Sequence, residues 1–403
     1  MEKANKNTHL NHLEDNVFLG GIDGTRDSID FLRSFRDLLQ GRSKQAVNTS
    51  VKWDGAPAIW MGHTKDGDFF IAKKSLFNKV PLFYTSEKQI EETDDLSDEL
   101  RAKFHIAFNA YKDTKFDKIL QGDFLFTKQM LKKVRIDGKE YVTFHPNTIA
   151  YSVPADSELA KKLLTMKMGI VFHTSYTGKD LRDLSATAGV KLPKAPDGVW
   201  QIDADYKDMQ GSASMTATET KKIDRAMSNL GTHFRMVSKQ TMDILNDPVI
   251  AVFCTTYTNA FIRARKTPTP EEAAAGLGQF IMDKFKVKID KLKTPAGKKR
   301  QMEAMSAVVK PLASIPGHEL VSVFHLYYGL QEVKNIIIKK LSSSGFVKTF
   351  LKTKDGWEVT GQEGYVATDS LGKNSVKLVD RLEFSYANFN KDVIKGWEAD
   401  YRN

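Results

Sequence analysis

The spacing of hydrophobic positions divides the chain into segments with different predicted secondary structure. In residues 27–39 apolar side chains recur every three or four positions, which predicts an amphipathic helix. From residue 50 onward, short stretches rich in β-branched and aromatic residues are separated by Gly, Asp or Asn, a pattern typical of strands. A helical segment at 97–111 interrupts them. This part of the chain is therefore predicted to be α+β and rich in antiparallel strands.

The pattern becomes helical from about residue 216 to 341. Thr269 is a suitable N-cap, with Pro270 at the first helical position and two acids behind it. Strand-like segments return from about residue 345. The simplest division is an α+β domain formed by 1–205 and 344–403, interrupted by a mainly helical insertion at 206–343.

Composition narrows the class of protein. The 403 residues include 60 Lys and Arg against 50 Asp and Glu, a net charge of +10, which favours polyanionic partners such as nucleic acid. The single cysteine, Cys254, excludes an intramolecular disulfide and a multi-thiolate zinc site. The polar start lacks a signal-peptide core, and no segment is apolar enough to span a bilayer. We expect a cytoplasmic protein without a membrane partner.

The strongest chemical signal is Lys52-Trp53-Asp54-Gly55, where a strand runs into a tight Asp-Gly turn. This geometry can hold a lysine amine at the edge of a pocket. Four letters are a weak match when taken alone, and a hairpin turn with a solvated lysine would then be the better explanation. The interpretation therefore depends on whether later segments of the chain carry matching chemistry.

Four later segments occur in a fixed order, each in a strand context. They are LQGDFLF with Asp123, GIVFHTSY with Phe172, EGYVATD with Glu363 and SVKLVD with Lys377. With KWDG as motif I, the chain resembles the covalent nucleotidyltransferase superfamily, which comprises ATP-dependent DNA and RNA ligases and mRNA capping enzymes. It is also similar to uncharacterised phage-encoded proteins, for which the location would be the host cytoplasm.

The resemblance implies a role for each matching residue. Lys52 would form lysyl-AMP with the help of Lys377, and Phe172 would stack on the purine unless it is simply a core residue. Asp123 and Glu363 would contact Mg²⁺, although a surface position is equally reasonable for Asp123. The implied contacts with ATP are Val51, Asp54, Gly55, Lys74, Asp123, Phe172 and Glu363. The implied cofactors are ATP and Mg²⁺.

The chain also departs from the superfamily pattern. Motif III usually carries Gly-Glu where this chain has Asp123, many relatives have arginine at Pro57, and most have a second lysine at Val379. Motif IV could instead be at Asp197, but the lysine strand that comes after Glu363 favours the latter. The segment after Asp380 is too short for an oligonucleotide-binding barrel. We therefore expect a nucleotidyltransferase fold without that barrel, closest to RNA ligases.

The proposed attack of a lysine on ATP would require positive charges near the nucleophile. A lysine attacks only as the neutral amine, and neighbouring positive charges such as Lys377, Lys74 and a divalent metal favour that form. The same charges stabilise the α-phosphate in the transition state. A separate basic stripe could follow a phosphate backbone or could be a solvated helix face. It consists of Lys284, Lys288, Lys291, Lys298, Lys299 and Arg300.

The sequence is therefore interpreted as an ATP-dependent polynucleotide ligase that prefers RNA, with DNA possible. Its partners would be nucleic-acid ends that carry a 5′-phosphate and a 3′-hydroxyl. Two alternatives stay open: a nucleotidyltransferase with another acceptor, and a non-catalytic nucleic-acid-binding protein of the same fold.

Overall fold

The computed structural model describes residues 11–40, 48–205, 215–342, 347–368 and 375–398. The protein is a mixed α+β structure with antiparallel sheets, which confirms the predicted class. Among the described strand pairs, all are antiparallel except the pair between 199–203 and 168–177. No helix in the described ranges is both long and apolar enough to cross a bilayer.

The strands occupy two stretches of the chain. They are β1 (Asn48–Lys52), β2 (Ala58–His63), β3 (Phe69–Ala72), β4 (Ile119–Thr127), β5 (Lys132–Ile136), β6 (Lys139–Phe144), β7 (Ile149–Pro154), β8 (Met168–Thr177), β9 (Ser185–Ala188), β10 (Val199–Asp203), β11 (Lys348–Thr353), β12 (Gly356–Val359), β13 (Gly364–Thr368) and β14 (Ser375–Leu378). Ten of them therefore precede the long helical stretch and four come after it.

The helices begin at the N-terminal side and fill the middle of the chain. They are α1 (Asn16–Leu19), α2 (Gly21–Leu39), α3 (Glu87–Glu92), α4 (Asp98–Tyr111), α5 (Glu158–Thr165), α6 (Ala217–Arg235), α7 (Lys239–Leu245), α8 (Pro248–Arg263), α9 (Pro270–Asp290), α10 (Pro295–Ala313), α11 (Gly317–Ser342) and α12 (Tyr386–Phe389). Short 3₁₀ helices lie at Leu13–Asp15, Lys74–Phe77 and Lys128–Met130, and a π-helix lies at Arg381–Ser385.

Local sequence signals account for several of these boundaries. The Thr269 hydroxyl accepts a hydrogen bond from the Glu272 amide at 3.2 Å, and the Glu272 carboxylate accepts one from the Thr269 amide at 2.8 Å. This capping box, together with Pro270, fixes the start of α9 as predicted. Helix α4 also matches its predicted range. Helix α2 begins earlier than predicted, because Ile22 also packs against the helical core.

The strands form three sheets. A central sheet has the order β10-β8-β4-β2-β3, with β9 added beside β8. A second sheet has the order β12-β11-β7-β6-β5, and a third has the order β1-β13-β14. The amide of Val51 donates to the carbonyl of Ala204 at 2.7 Å, which joins the third sheet to the end of β10.

Aromatic and aliphatic side chains fill the space between these layers. Trp53, Phe126, Tyr151 and Trp200 share one core cluster between the two larger sheets. On the other face of the central sheet, Phe104 of α4 packs in a second cluster with side chains of β2, β4 and β8. The central sheet is therefore buried on both faces.

The helices form a layer of their own. Helices α6 to α11 fall inside the predicted insertion at 206–343, with strands before and after it. Helix α2 joins this layer, since Leu32 and Phe35 share a core cluster with Leu230 and Phe324. The N-terminal helices thus pack with the helical segment rather than with the strands next to them in the chain.

A buried group of charges fastens the N-terminal segment to this layer. Lys334 of α11 donates to both carboxylate oxygens of Glu14, at 2.8 and 2.7 Å, and each side chain is at most 1% exposed. Arg381 donates to Asp15 at 2.8 Å and to the Tyr327 hydroxyl at 3.1 Å. Lys334 and the neighbouring Arg381 hold the pKa of Glu14 down at about 2, against the effect of burial. Arg381 comes shortly after β14 in the sequence, so the network also connects the end of this strand to the helical layer.

Candidate active site

The three-stranded sheet brings distant parts of the chain onto one face. Lys52 at the end of β1 pairs with Gly364 of β13, and Val366 pairs with both Ser50 and Lys377. Directly opposed residues project to the same side of a sheet, so Ser50, Val366 and Lys377 share a face. Lys52 lies two positions after Ser50 in the same strand and therefore projects to that face as well. Tyr365 lies on the opposite face, in the helical core. One face of this sheet therefore packs against the helical core, and the other face carries Lys52 and Lys377.

Lys52 forms an ion pair with the carboxylate of Glu363, which immediately precedes β13. The Lys52 side chain is 29% exposed and the Glu363 side chain is 10% exposed. Solvent can therefore reach the amine from one side, while the acid is nearly enclosed. Asp197, the alternative for motif IV, lies in a turn before β10, so Glu363 is the acid that contacts Lys52.

The second carboxylate oxygen of Glu363 is a distinctive feature of the site. Its Oε2 atom is buried and has no hydrogen-bond partner. Burial and the negative charges of Asp54 and Asp123, acting against the positive charge of Lys52, together raise the pKa of Glu363 to about 7. A buried oxygen of this kind is costly unless a cation or donor occupies it. Its environment is suited to a bound cation.

Lys377 completes a cluster of two lysines and one acid. Partial burial lowers the pKa of Lys377, and the charge on Lys52 lowers it further, whereas Glu363 acts in the opposite direction. The cluster therefore places two lysine side chains and one carboxylate on the same face of the sheet.

The turn directly after Lys52 is held by buried hydrogen bonds. Asp54 accepts from the Asn147 side chain at 2.7 Å and from the amides of Thr148 and Ile149 at 2.6 and 2.8 Å. Its own amide donates to the Tyr151 hydroxyl at 2.6 Å. Burial raises the pKa of Asp54, while these bonds and Lys52 lower it. Asp54 therefore orders the turn and has no free carboxylate oxygen for a ligand.

Gly55 lets this turn approach the strand that carries Asp123. A Cβ atom at Gly55 would lie 2.6 Å from the Cβ atom of Asp123 and 3.0 Å from the carbonyl oxygen of Phe124. Ala58 pairs with Asp123 in the register of β2 and β4, which fixes the strand in place. The role of Gly55 is therefore close packing of the turn.

Replacing Gly55 with alanine is expected to lower the free energy of unfolding by about 1–3 kcal/mol, because the methyl group overpacks against fixed strand atoms. The matched control is Gly278→Ala in α9, where a Cβ atom meets nothing within 4 Å. That substitution is expected to stabilise by about 0.5–1 kcal/mol. Urea unfolding of the two variants measures both values, and equal stabilities would contradict the packing argument.

His173 is a site residue to which the sequence pattern assigns no role. In β8 it falls between Phe172, which pairs with Gly122, and Thr174, which pairs with Gln121, so it occupies a β-bulge. Its Nε2 atom lies 3.5 Å from a carboxylate oxygen of Asp123. Both side chains are partly exposed, at 27% and 21%. The residues of the strand carry no local signal for the bulge that directs this ring.

The structure corrects two roles implied by the resemblance. Phe172 has no exposed surface and its ring packs edge-on against Tyr111, so in this position it cannot stack on a purine. The core alternative fits instead. Val51 projects away from the Lys52 face and packs against core clusters, while its amide is bonded to Ala204. Its side chain is therefore structural.

Lys74 lies at the end of the central sheet that carries Asp123. Ala72 pairs with Trp60 and Ala58 pairs with Asp123, so the chain leaves β3 at the end where Asp123 lies. Lys74 is exposed at the start of the next 3₁₀ helix. Lys74 therefore lies at the Asp123 end of the central sheet, which we call the rim of the site.

The predicted basic stripe lies in the helical layer. Its members are all exposed and belong to α9, to α10 or to the turn between them: Lys284, Lys288, Lys291, Lys298, Lys299 and Arg300. Lys284 lies 5.1 Å from the ring centroid of Phe280, and Lys288 lies 5.6 Å from that of Phe285. These contacts are within the helices, so they place the stripe on the helical layer and not on the Lys52 face.

The donor set constrains the metal that the site could hold. Within the described ranges, no three His, Cys, Asp or Glu side chains converge as a metal site. Mg²⁺ needs only one or two carboxylates, since water and substrate phosphates supply its other ligands. The unpartnered Glu363 oxygen fits such a role, with Asp123 as the second candidate. A site for zinc would need more protein ligands.

Comparison with known proteins gives a family but no activity. The model of a family of unknown function, DUF6267, matches residues 7–393, and the chain therefore belongs to this family. Neither the curated proteins nor the solved structures yield a match. The chemistry of the Lys52 face thus has to be argued from its own residues.

Proposed function

We propose that this member of the DUF6267 family is an ATP-dependent polynucleotide ligase that prefers RNA, with DNA also possible. The observation that carries the proposal is the convergence of Lys52, Glu363 and Lys377 on one sheet face. The two members of the ion pair are 311 residues apart in sequence. A nucleophile, a proton acceptor and a second cation are the groups that nucleotidyl transfer to lysine requires.

In the first step, the neutral Lys52 amine attacks the α-phosphorus of ATP. A P–N bond forms, the bond to the bridging oxygen breaks, and pyrophosphate leaves. Glu363 accepts the amine proton, since its carboxylate already forms an ion pair with the Lys52 amine. Lys377 stabilises the negative charge that develops on the phosphate. When bound, Mg²⁺ would be held by Glu363 and Asp123 and would neutralise phosphate charge.

In the later steps, AMP moves from Lys52 to a 5′-phosphate end, and a 3′-hydroxyl then displaces AMP to close the phosphodiester bond. Lys74 and the partly exposed Asp123 would contact the nucleotide at the rim. The basic stripe on α9 and α10 lies away from the Lys52 face, so these steps assign it no contact with the reacting ends.

The test is covalent labelling. The protein is incubated with α-³²P-ATP and magnesium, denatured and examined for bound label, which we expect; α-³²P-GTP and labelled NAD are compared in parallel. A chase with RNA that carries a 5′-phosphate is expected to remove the label from the protein. Label that resists RNA and DNA ends would favour another acceptor. No label from any nucleotide, with folded protein free of bound AMP, would contradict the enzyme and favour a non-catalytic binding protein.

A further inference from the structure

The segment after β14 presents two exposed aromatic rings. Phe389 at the end of α12 is 59% exposed and Trp397 is 57% exposed. In the described part of the chain, the other strongly exposed large apolar side chains are Leu, Val or Met. Aromatic rings are normally buried because their hydrophobic area is large. Two of them within one short segment therefore mark it as a candidate binding surface.

This segment is attached to the turn next to the proposed nucleophile. The Thr148 hydroxyl donates to Asn388, the neighbour of Phe389, and the Gly396 amide, beside Trp397, donates to the Asn147 carbonyl at 2.7 Å. Asn147 and Thr148 are the residues that bind the Asp54 carboxylate. The residue directly before each ring therefore contacts a residue that binds the Asp54 carboxylate.

Positive charge accompanies the two rings. The Arg263 guanidinium, at the end of α8, lies 5.1 Å from the centroid of the Phe389 ring. Lys391, which lies between Phe389 and Trp397 in the sequence, is exposed. The Lys395 amine donates a hydrogen bond to the Thr148 hydroxyl at 3.1 Å. The nearby acid Asp392 is engaged, since it pairs with Lys354 at 2.9 Å. The other acid, Glu398, is exposed next to Trp397 and accepts a hydrogen bond from the Lys395 backbone amide at 3.1 Å. The three cations therefore outnumber the two acids beside the rings.

We propose that Phe389 and Trp397 form a stacking platform for the unpaired bases of a single-stranded nucleic acid whose end enters the Lys52 site. Aromatic faces for bases, with cations for the phosphates, are how proteins hold single strands without reading sequence. Bases in a duplex stack on each other and cannot use the platform. The inference rests on the proposed function, because it assigns single-stranded ends as the substrate.

The test measures binding and needs no nucleotide transfer, so it is independent of labelling at Lys52. Fluorescence anisotropy compares a single-stranded RNA of about 12 nucleotides with an abasic strand of equal length. Phe389→Ala and Trp397→Ala are each expected to weaken RNA binding about 5- to 150-fold, the range for one lost base–aromatic stack. Binding of the abasic strand should be unchanged, and Trp397→Phe should restore most of the affinity.

The matched control is Val359→Ala on β12, which removes an apolar side chain that is 77% exposed. It should bind both strands like the wild type, and all variants should keep the wild-type melting temperature. Equal RNA affinity of the wild type and a variant that combines Phe389→Ala with Trp397→Ala would overturn the proposal and indicate a protein partner for the rings. Equal losses on both strands, or no RNA binding by the wild type, would overturn it as well.

Discussion

Replacing Lys52 with alanine is expected to abolish covalent labelling by α-³²P-ATP, because Lys52 is the lysine that forms the ion pair with Glu363 in the described structure. Replacing it with arginine is the sharper change. The guanidinium keeps the positive charge and can still pair with Glu363, but it does not deprotonate and so cannot attack phosphorus. Both variants should give no label above the denatured-protein background.

The control for this prediction is Lys65→Ala. Lys65 lies in the turn between β2 and β3, its side chain is 66% exposed, and it pairs with Asp180 at 3.3 Å. An exposed pair of this kind contributes little to stability, so the variant should be labelled like the wild type. Persistent label on the Lys52→Arg protein, mapped by peptide digestion to another lysine, would refute Lys52 as the nucleophile.

The second large effect concerns folding. Lys334→Met is expected to lower the free energy of unfolding by about 3–5 kcal/mol, because it leaves the Glu14 carboxylate buried without its principal cation. Glu14 is fully buried, and Arg381 lies 3.5 Å from one of its oxygens and cannot replace two bonds from lysine. Guanidinium unfolding measured by circular dichroism gives the change.

A double variant separates the lost ion pair from the lost packing. Glu14→Gln with Lys334→Met removes both charges and keeps an acceptor for the Gln331 amide, which bonds Glu14 at 3.2 Å. Replacing both members of a buried pair is often close to neutral, so this protein should recover most of the lost stability. If the double variant were as unstable as the single one, packing rather than charge would be responsible.

The sequence was sufficient for the local elements and for the lysine cluster. Periodicity located α4 and the helical stretch α6 to α11, and a threonine, a proline and a glutamate fixed the start of α9. The order of the motifs also suggested that Lys52, Glu363 and Lys377 belong together, and the structure brings them together. Functional residues at the ends of strands can be predicted from the sequence, because strand ends have a recognisable residue pattern.

The features that the sequence could not supply depend on tertiary packing. Phe172 and His173 are neighbours, and only the bulge beside Gly122 decides which of them faces the core. The polar Glu14 becomes fully buried because Lys334, on a helix 320 residues away, meets it. Likewise, nothing in the residues around Asn388 indicates contact with Thr148. Such pairings have no local pattern from which to predict them.

The pairing of β1 with β13 also has a consequence for the timing of synthesis. Lys52 leaves the ribosome 311 residues before Glu363, and chains grow at roughly 5–20 residues per second. For a period on the order of 15–60 s, β1 has no partner strand and the nucleophile has no acid beside it. A nascent chain that stops before β13 therefore cannot assemble the Lys52–Glu363 pair. The candidate site forms only after β13 has been synthesised.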